Sequence, residues 1–277
     1  MPNGSPGGSF DPLFMLFVPG DRPDRFESAK SSGASAMVLD LEDAVSADRK
    51  RLARDAVAAY LDSEPDLSRV VVRLNPASSP WFEEDLKMLR VRHAGAVMVA
   101  KVPHASALDA IAKALGGMQL IALTESAGGV LNAAEIAAHP SCIALAFGPY
   151  DLAADLGGSA EWDAMLAHRS HVLLAARVHR KLAIDGPTIV FANPERAESD
   201  ARAAMRLGFD GKLLIHPSQV SPVRAAFRPS EAEVAHAIRI VEAAKRAVPA
   251  VLDGVMIDGP LLLAAERIVR RAKATAL

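Results

Sequence analysis

The sequence has one cysteine, Cys142, among 277 residues. That excludes an internal disulfide and any cysteine-built metal cluster. No HExxH pattern occurs, so the common helical zinc site is missing as well. There is no basic arm, and no basic stretch interleaved with aromatics. With a net charge of only −2, a nucleic-acid partner is not expected. No apolar run is long enough to span a bilayer, so a membrane partner is not expected either. The opening "MPNGSPGGSFDP" lacks the basic start and apolar stretch of a signal peptide. It reads as a flexible tail over residues 1–12. These absences favour a cytoplasmic protein that acts on small molecules, anionic ones included, because single arginines suffice to hold them.

Hydrophobic residues make up 51% of the chain, enough for a sizeable core. Short apolar runs alternate with Ala-rich amphipathic stretches. The runs are 13–20, 36–43, 69–75, 95–102, 119–126, 142–148, 181–187 and 211–217. Strands alternating with helices argue for a parallel sheet, and eight such units close a TIM-type (β/α)8 barrel. An open doubly wound sheet would need a Gly-rich fingerprint after its first strand, and "VPGDRPDR" is not one. The barrel is expected over residues 13–228. "PSEAE" then reads as a helix start with an N-cap serine. Residues 229–277 are expected to form a C-terminal helical extension or lid, with "VPAVLDGVMIDGP" as the loop between its two helices.

The active site of a TIM barrel lies where its strands end. Here the strand ends are polar. They offer Asp21 and Arg22, then Asp40, Glu42 and Asp43, then Arg73 and Asn75, followed by Lys101, Glu125, Asp151, Asp185 and His216. Alternate residues of a strand share a face. Arg73 with Asn75, and Lys101 and Glu125 on their own strands, can therefore point toward one mouth as a polar ring. Oxygen-rich ligands suit a hard cation such as Mg²⁺, and Glu125 and Asp151 come from consecutive strands. Internal salt bridges to Arg73 and Lys101 account for the same spacing equally well.

At these residues the sequence resembles the citrate lyase beta subunit-like branch of the HpcH/HpaI aldolase superfamily. The matching segments are "LFVPGDRPDRF", "DLEDAV", "VRLN", "LTESAGGVLNAAEIA", "LAFGPYDLAADLG", "GFDGKLLIHPSQV" and "VMIDGP", in the expected order. The resemblance implies a Mg²⁺-dependent carbon–carbon lyase, with Mn²⁺ as the substitute cation. Its substrate would be a hydroxyacyl-CoA thioester such as citryl-, citramalyl- or malyl-CoA, so CoA enters as part of the substrate. It also implies a homo-oligomer, a trimer or hexamer. By motif match, Glu125 and Asp151 are the metal carboxylates, and Arg73 polarises the keto-acid oxygen. The backbone around Gly148 and Pro149 holds the keto-acid carboxylate. Asp258 in "MIDGP" matches an acid/base aspartate that, in relatives, closes over a neighbouring subunit's site. Asp40, Glu42 and Asp43 match the acidic group near the metal. Basic residues near the start, Arg22, Arg25 and Lys30, are the candidates for contacting CoA. The chain departs from the pattern at Ala100, His104, Val255 and Ser28, positions that relatives tend to fill differently on the CoA side.

Other residues have plainer readings. His216 is expected to close its loop by hydrogen bonds, and Lys101 to form a salt bridge rather than a Schiff base. Asp185 is expected to orient neighbours, and Cys142 to sit in the core. Three further functions stay open. The chain could be the beta subunit of a citrate lyase complex fed by an acyl carrier protein, or a metal-dependent aldolase on free hydroxy keto acids. Thioesterase or malate-synthase-like chemistry is the third. A non-catalytic binding relative is disfavoured by the presence of Arg73, Glu125, Asp151 and Asp258.

Overall fold

A computed structural model describes residues 12–245 and 249–275. The expected tail, apart from Pro12, lies outside the described residues. Along the chain run β1 (Phe14–Pro19), α1 (Phe26–Lys30), β2 (Ala36–Asp40), α2 (Lys50–Ser63), β3 (Val70–Leu74) and α3 (Phe82–Arg90). Next come β4 (Ala96–Val99), α4 (Ser106–Ala114), β5 (Leu120–Thr124), α5 (Ala127–Leu131), α6 (Ala133–Ala138) and β6 (Cys142–Phe147). Then follow α7 (Pro149–Leu156), α8 (Leu166–Val178), β7 (Leu182–Asp185), α9 (Pro194–Leu207), β8 (Gly211–Leu214) and α10 (Val220–Phe227). The eight parallel strands pair in chain order and close, β8 on β1, into a TIM barrel.

Every residue of β2, β3 and β5 is buried, as expected for parallel strands covered on both faces. The helices pack on that barrel through one apolar stripe. α2 buries Ala53, Val57 and Leu61, and α9 buries Ala197, Ala201 and Ala204, each at helical spacing. Full burial of a side chain such as Val57 contributes about 1.5–3 kcal/mol. The strands stop earlier than the apolar runs do. β2 ends at Asp40, so Glu42 and Asp43 lie in the turn that follows it.

Beyond the barrel come α11 (Glu231–Ala244), β9 (Ala250–Leu252), β10 (Val255–Ile257) and α12 (Gly259–Thr275). Ser230 caps α11 in a reciprocal capping box with Glu233. The stretch expected as a plain loop contains an antiparallel hairpin instead. Asp253 and Gly254 form its turn with φ of 51° and 79°, the positive values that a tight hairpin requires. α11, the hairpin and α12 share a small core of Ala237, Ile240, Ile257 and Ala265. α12 lies against the N-terminal ends of the barrel strands. Arg270 Nη2 reaches Asp210 Oδ1 at 2.9 Å, one residue before β8. Arg224 Nη2 donates to Thr275 O at 3.0 Å, while its Nη1 holds Gly33 O, three residues before β2. Among the described residues no helix is long and apolar enough to cross a membrane.

Candidate active site

A cavity of about 350 Å³ opens at the C-terminal ends of the strands. Arg73 of β3, Glu125 just past β5, Asp151 of α7, and Gly148 and Pro149 at the start of α7 all line it. Asp40 and Asp43 line it too. Asp40, Asp43, Arg73, Glu125 and Asp151 thus come from four strands, β2, β3, β5 and β6, or from the segments just after them, as the barrel geometry demands.

Arg73 is the anchor of one wall. It stands opposite Asp40 in the register of β3 on β2. Its Nε donates to Asp40 Oδ1 at 2.7 Å and its Nη2 to Asp40 Oδ2 at 2.6 Å, a forked pair. The guanidinium also lies over the Phe17 ring at 4.6 Å. Asp40 accepts two more bonds, from the backbone N–H of Glu42 and of Ala44. Burial alone would raise the Asp40 carboxyl, but Arg73 and these bonds hold it below its ordinary value. Asp40 is therefore the counter-ion of Arg73 and the organiser of the acidic turn. Its hydrogen bonds place it beside the arginine rather than with the free acids.

Glu42 and Asp43 crown that turn. Glu42 Oε1 accepts from Lys101 Nζ at 2.7 Å. Its other oxygen stands 2.8 Å from Arg73 Nη1 but has no hydrogen-bond donor in line. Burial pushes the Glu42 carboxyl up, against the pull of Arg73 and Lys101. The Lys101 ammonium also lies 3.2 Å from Asp151 and 3.6 Å from Asp43. Burial would lower its pKa, but these acids raise it, so it stays charged and is engaged in ion pairs. Its backbone has φ 52°, a conformation that is rare for a non-glycine residue and turns the loop back toward β5.

Glu125 differs from the other acids. It is 3% exposed and forms no ion pair among the described residues. One hydrogen bond reaches it, from Lys101 N at 2.8 Å. Burial, together with the like charges of Glu42 and Asp151, pushes its carboxyl up to about 8. Gly148 makes room for it. A Cβ on Gly148 would come within 2.6 Å of Glu125 Oε2. Gly186, past β7, backs onto the same turn: its Cβ would run into the Pro149 ring and stand 2.7 Å from Phe147 O.

The structure corrects the sequence reading at two places, Lys30 and Asn75. Lys30 was expected near CoA, but the helix after β1 carries it to the opposite end of the barrel. There it pairs with Glu64 at 2.7 Å and lines a small cavity with Ala36 and Met37 of the β2 start. Arg22 and Arg25 stay on the mouth side, in the connection that follows β1. Arg22 is exposed and forked onto Asp24. Asn75 does not join the ring. Its amide turns outward to Leu41 O and Asp85. Asp258, expected to serve a neighbouring subunit's site, does not line the cavity of its own barrel. It is exposed, and its Oδ1 accepts from Leu261 N at 3.1 Å, capping α12.

His216 accepts from Ser218 N and stacks on Phe191 at 5.0 Å, closing its loop. Asp185 is buried between Lys212 Nζ and Arg169 Nε, both at 2.8 Å. Cys142 is buried, and burial pushes its thiol up to about 11.

One supporting residue escaped the sequence reading. Lys50, in the charged stretch "DRKR", is buried behind the acidic turn. Its ammonium donates to Leu41 O, Glu42 O and Asn75 Oδ1 at 2.7–2.8 Å. Only its place at the first position of α2 gave a signal, and that looked like an ordinary surface charge.

The family profile of the HpcH/HpaI aldolase/citrate lyase proteins matches residues 13–217. The chain belongs to that family. It is 36% identical over 270 residues to the (3S)-malyl-CoA thioesterase of Cereibacter sphaeroides, covering 95% of both chains. It is 37% identical over 265 residues to a citrate lyase subunit beta-like protein of Mycobacterium tuberculosis, covering 93% of this chain and 94% of that one. The crystal structure of CitE from M. tuberculosis, in complex with magnesium, acetoacetate and coenzyme A, superposes with a TM-score of 0.80 at 36% identity. That match covers 94% of this chain and 98% of the other.

Proposed function

We propose that this chain is a Mg²⁺-dependent carbon–carbon lyase that splits a hydroxyacyl-CoA thioester into a smaller CoA thioester and a keto acid. Glu125 carries the proposal. A buried carboxylate without an ion-pair partner is costly, and this one, with only the pull of the more distant Arg73, shares a cavity with Asp151 and Arg73. Among the described residues no three His, Cys, Asp or Glu side chains form a metal cage. Two carboxylates are nevertheless the protein share that Mg²⁺ takes, water and substrate oxygens completing its shell. Glu125 and Asp151 fit that share, and Mn²⁺ would fit the same donors. When bound, the cation would supply Lewis-acid charge stabilisation for the keto-acid oxygens. The CitE structure with magnesium, acetoacetate and coenzyme A supports the same ligand set here.

The chain's own residues divide the remaining work. A guanidinium has five N–H donors, and Asp40 takes two of those on Arg73. The rest can hold a keto-acid oxygen as negative charge builds there. The first-turn N–H groups of α7, beside Gly148 and Pro149, orient the keto-acid carboxylate. Arg22 and Arg25, on the mouth side, are left to meet the CoA phosphates. Cleavage requires a base for the β-hydroxyl proton and an acid for the departing thioester carbon. Asp258 is assigned that proton work on the site of an adjacent copy. Residues 264–271 of α12 face Leu13, Gly208 and Asp210 at the strand N-termini. Asp258 lies only six residues before Ala264, about 9 Å along a helix axis, and so stays far from its own mouth.

A second reading is thioester hydrolysis, favoured by the name of the C. sphaeroides relative. Citryl-, citramalyl-, malyl- and methylmalyl-CoA, assayed with and without Mg²⁺, separate the two. Release of a keto acid and a smaller CoA thioester supports the lyase. Free CoA with the hydroxy acid intact supports the hydrolase. Turnover only of an acyl carrier protein thioester, or only of free hydroxy keto acids, replaces the reading with a complex subunit or a plain aldolase. No cation-dependent turnover of any of these overturns it.

A further inference from the structure

A second cavity, of about 300 Å³, lies at the other end of the barrel, between the strand N-termini and α12. Four arginines line it: Arg177 from the end of α8, and Arg267, Arg270 and Arg271 from α12. Among the described residues Asp210 is the single carboxylate in the lining, and it is already committed. Its Oδ2 accepts from Arg177 Nη1 at 2.8 Å and from Ala183 N at 2.9 Å, and its Oδ1 from Arg270 Nη2 at 2.9 Å. Arg267 and Arg271 have no ion pair among the described residues.

Arg271 is the telling member. Its Nε is buried without a hydrogen-bond partner among the described residues. Burial holds its guanidinium below the ordinary value, against the weaker opposite pull of Glu233 and Asp210. The Glu233 carboxylate makes no hydrogen bond to it among the described residues; its Oε2 accepts from Ser230 N and Oγ in the cap of α11. A buried donor without an acceptor costs about 1–3 kcal/mol, more when it is charged. Lining charges of four plus and one minus make the cavity cationic. Leu13, Met205, Phe209 and Ile268 give it an apolar side.

From this cluster we infer that the cavity is a binding site for a phosphate-class anion of two or more charges, free or esterified to a small organic group. The guanidinium forks of Arg267 and Arg271 match phosphate oxygens, and a point cation would not hold them as well. Arg177 and Arg270, braced by Asp210, set the rim. The site lies at the opposite end of the barrel from the catalytic mouth and does not depend on how that mouth is read. It has a mechanical consequence: an anion here bridges the barrel to α12, the helix that begins beside Asp258, and tightens the extension on its base.

Inorganic pyrophosphate is the probe, titrated calorimetrically into the whole chain in EDTA, without divalent cation. One saturable site per chain is expected, weakening as salt rises. Arg267→Gln should lower the affinity at least about tenfold, the scale of one charge-assisted hydrogen bond. Arg267 is exposed, so that variant keeps its fold. Arg271→Gln should do the same. Glu125→Gln, at the other end of the barrel, should leave binding unchanged. Hydrogen exchange in residues 259–275 should slow with pyrophosphate. Absence of a saturable heat overturns the inference. So does binding that Glu125→Gln strengthens, by removing a carboxylate from the mouth, and Arg267→Gln leaves unchanged, which would place the anion at the catalytic mouth.

Discussion

Arg73 and Asp40 occupy opposite positions in the register of β2 and β3 and join through two hydrogen bonds of 2.7 and 2.6 Å. The fork fixes the plane of the guanidinium over Phe17 and aims its other donors at the cavity. Lysine keeps the charge but not the plane. Arg73→Lys should lower kcat/KM by about a hundredfold or more, the scale of one lost transition-state donor. Asp40→Asn should destabilise the fold by about 3–5 kcal/mol, because it leaves a buried guanidinium without its counter-ion. Steady-state kinetics and urea unfolding read the two effects separately. Parent-like turnover in Arg73→Lys would make Arg73 structural.

Glu125→Gln removes one of the two proposed cation ligands while keeping the shape of the side chain. Mg²⁺ affinity should fall at least about tenfold in titration calorimetry, the scale of one lost charge-assisted contact, with the thermal transition retained. Unchanged affinity would move the cation to other residues.

Asp258 and Arg73 should complement each other between subunits. Asp258→Ala and Arg73→Ala are each expected to be inactive alone. After subunit exchange, some sites would combine Arg73 from one chain with Asp258 from another, and activity should return to a fraction of the parent's. Proven exchange without recovery would assign Asp258 to its own barrel or to no chemistry.

Asp185 gives an acid-stability test. Burial would raise its carboxyl, but Lys212 and Arg169 hold it below the ordinary 3.8. A carboxylate depressed in this way stabilises the fold above its unfolded value, and that stability is lost as pH falls through the folded value. Asp185→Asn should therefore be less stable than the parent at pH 7, by about 3–5 kcal/mol. The gap should narrow steadily below about pH 3.8. Urea unfolding at pH 7 and pH 3 measures both ends. A gap that did not change with pH would assign the loss to packing.

The eight strands were legible because each is an apolar run bounded by polar residues, and the mouth because those polar residues follow the strands. Strand parity was a sound guide only while the strand lasted. It placed Arg73, inside β3, toward the mouth. Asn75, one residue past β3, rotates away to serve Leu41 and Asp85. Lys101 reaches the acids through a left-handed backbone that no alternation pattern encodes. Lys50 was hidden for another reason. It stands among charges that face solvent, and only the third dimension puts Asn75 and two carbonyls around it. The hairpin β9–β10 did carry a signal, Asp253-Gly254 between apolar residues, but its strands are three residues long. Lys30 fell at the wrong end because the helical segment after β1 returns the chain to the start of β2.

Gly148 and Gly186 are packed so closely against Glu125 and Pro149 that neither tolerates a β-carbon. The turns after β6 and β7 therefore cannot drift independently as the sequence diverges. A side chain gained at position 186 would displace Pro149, and through it the residue on which Glu125 rests. Variation in substrate preference is thus channelled away from this seam, toward the turn after β8, where Ile215 lines the same cavity.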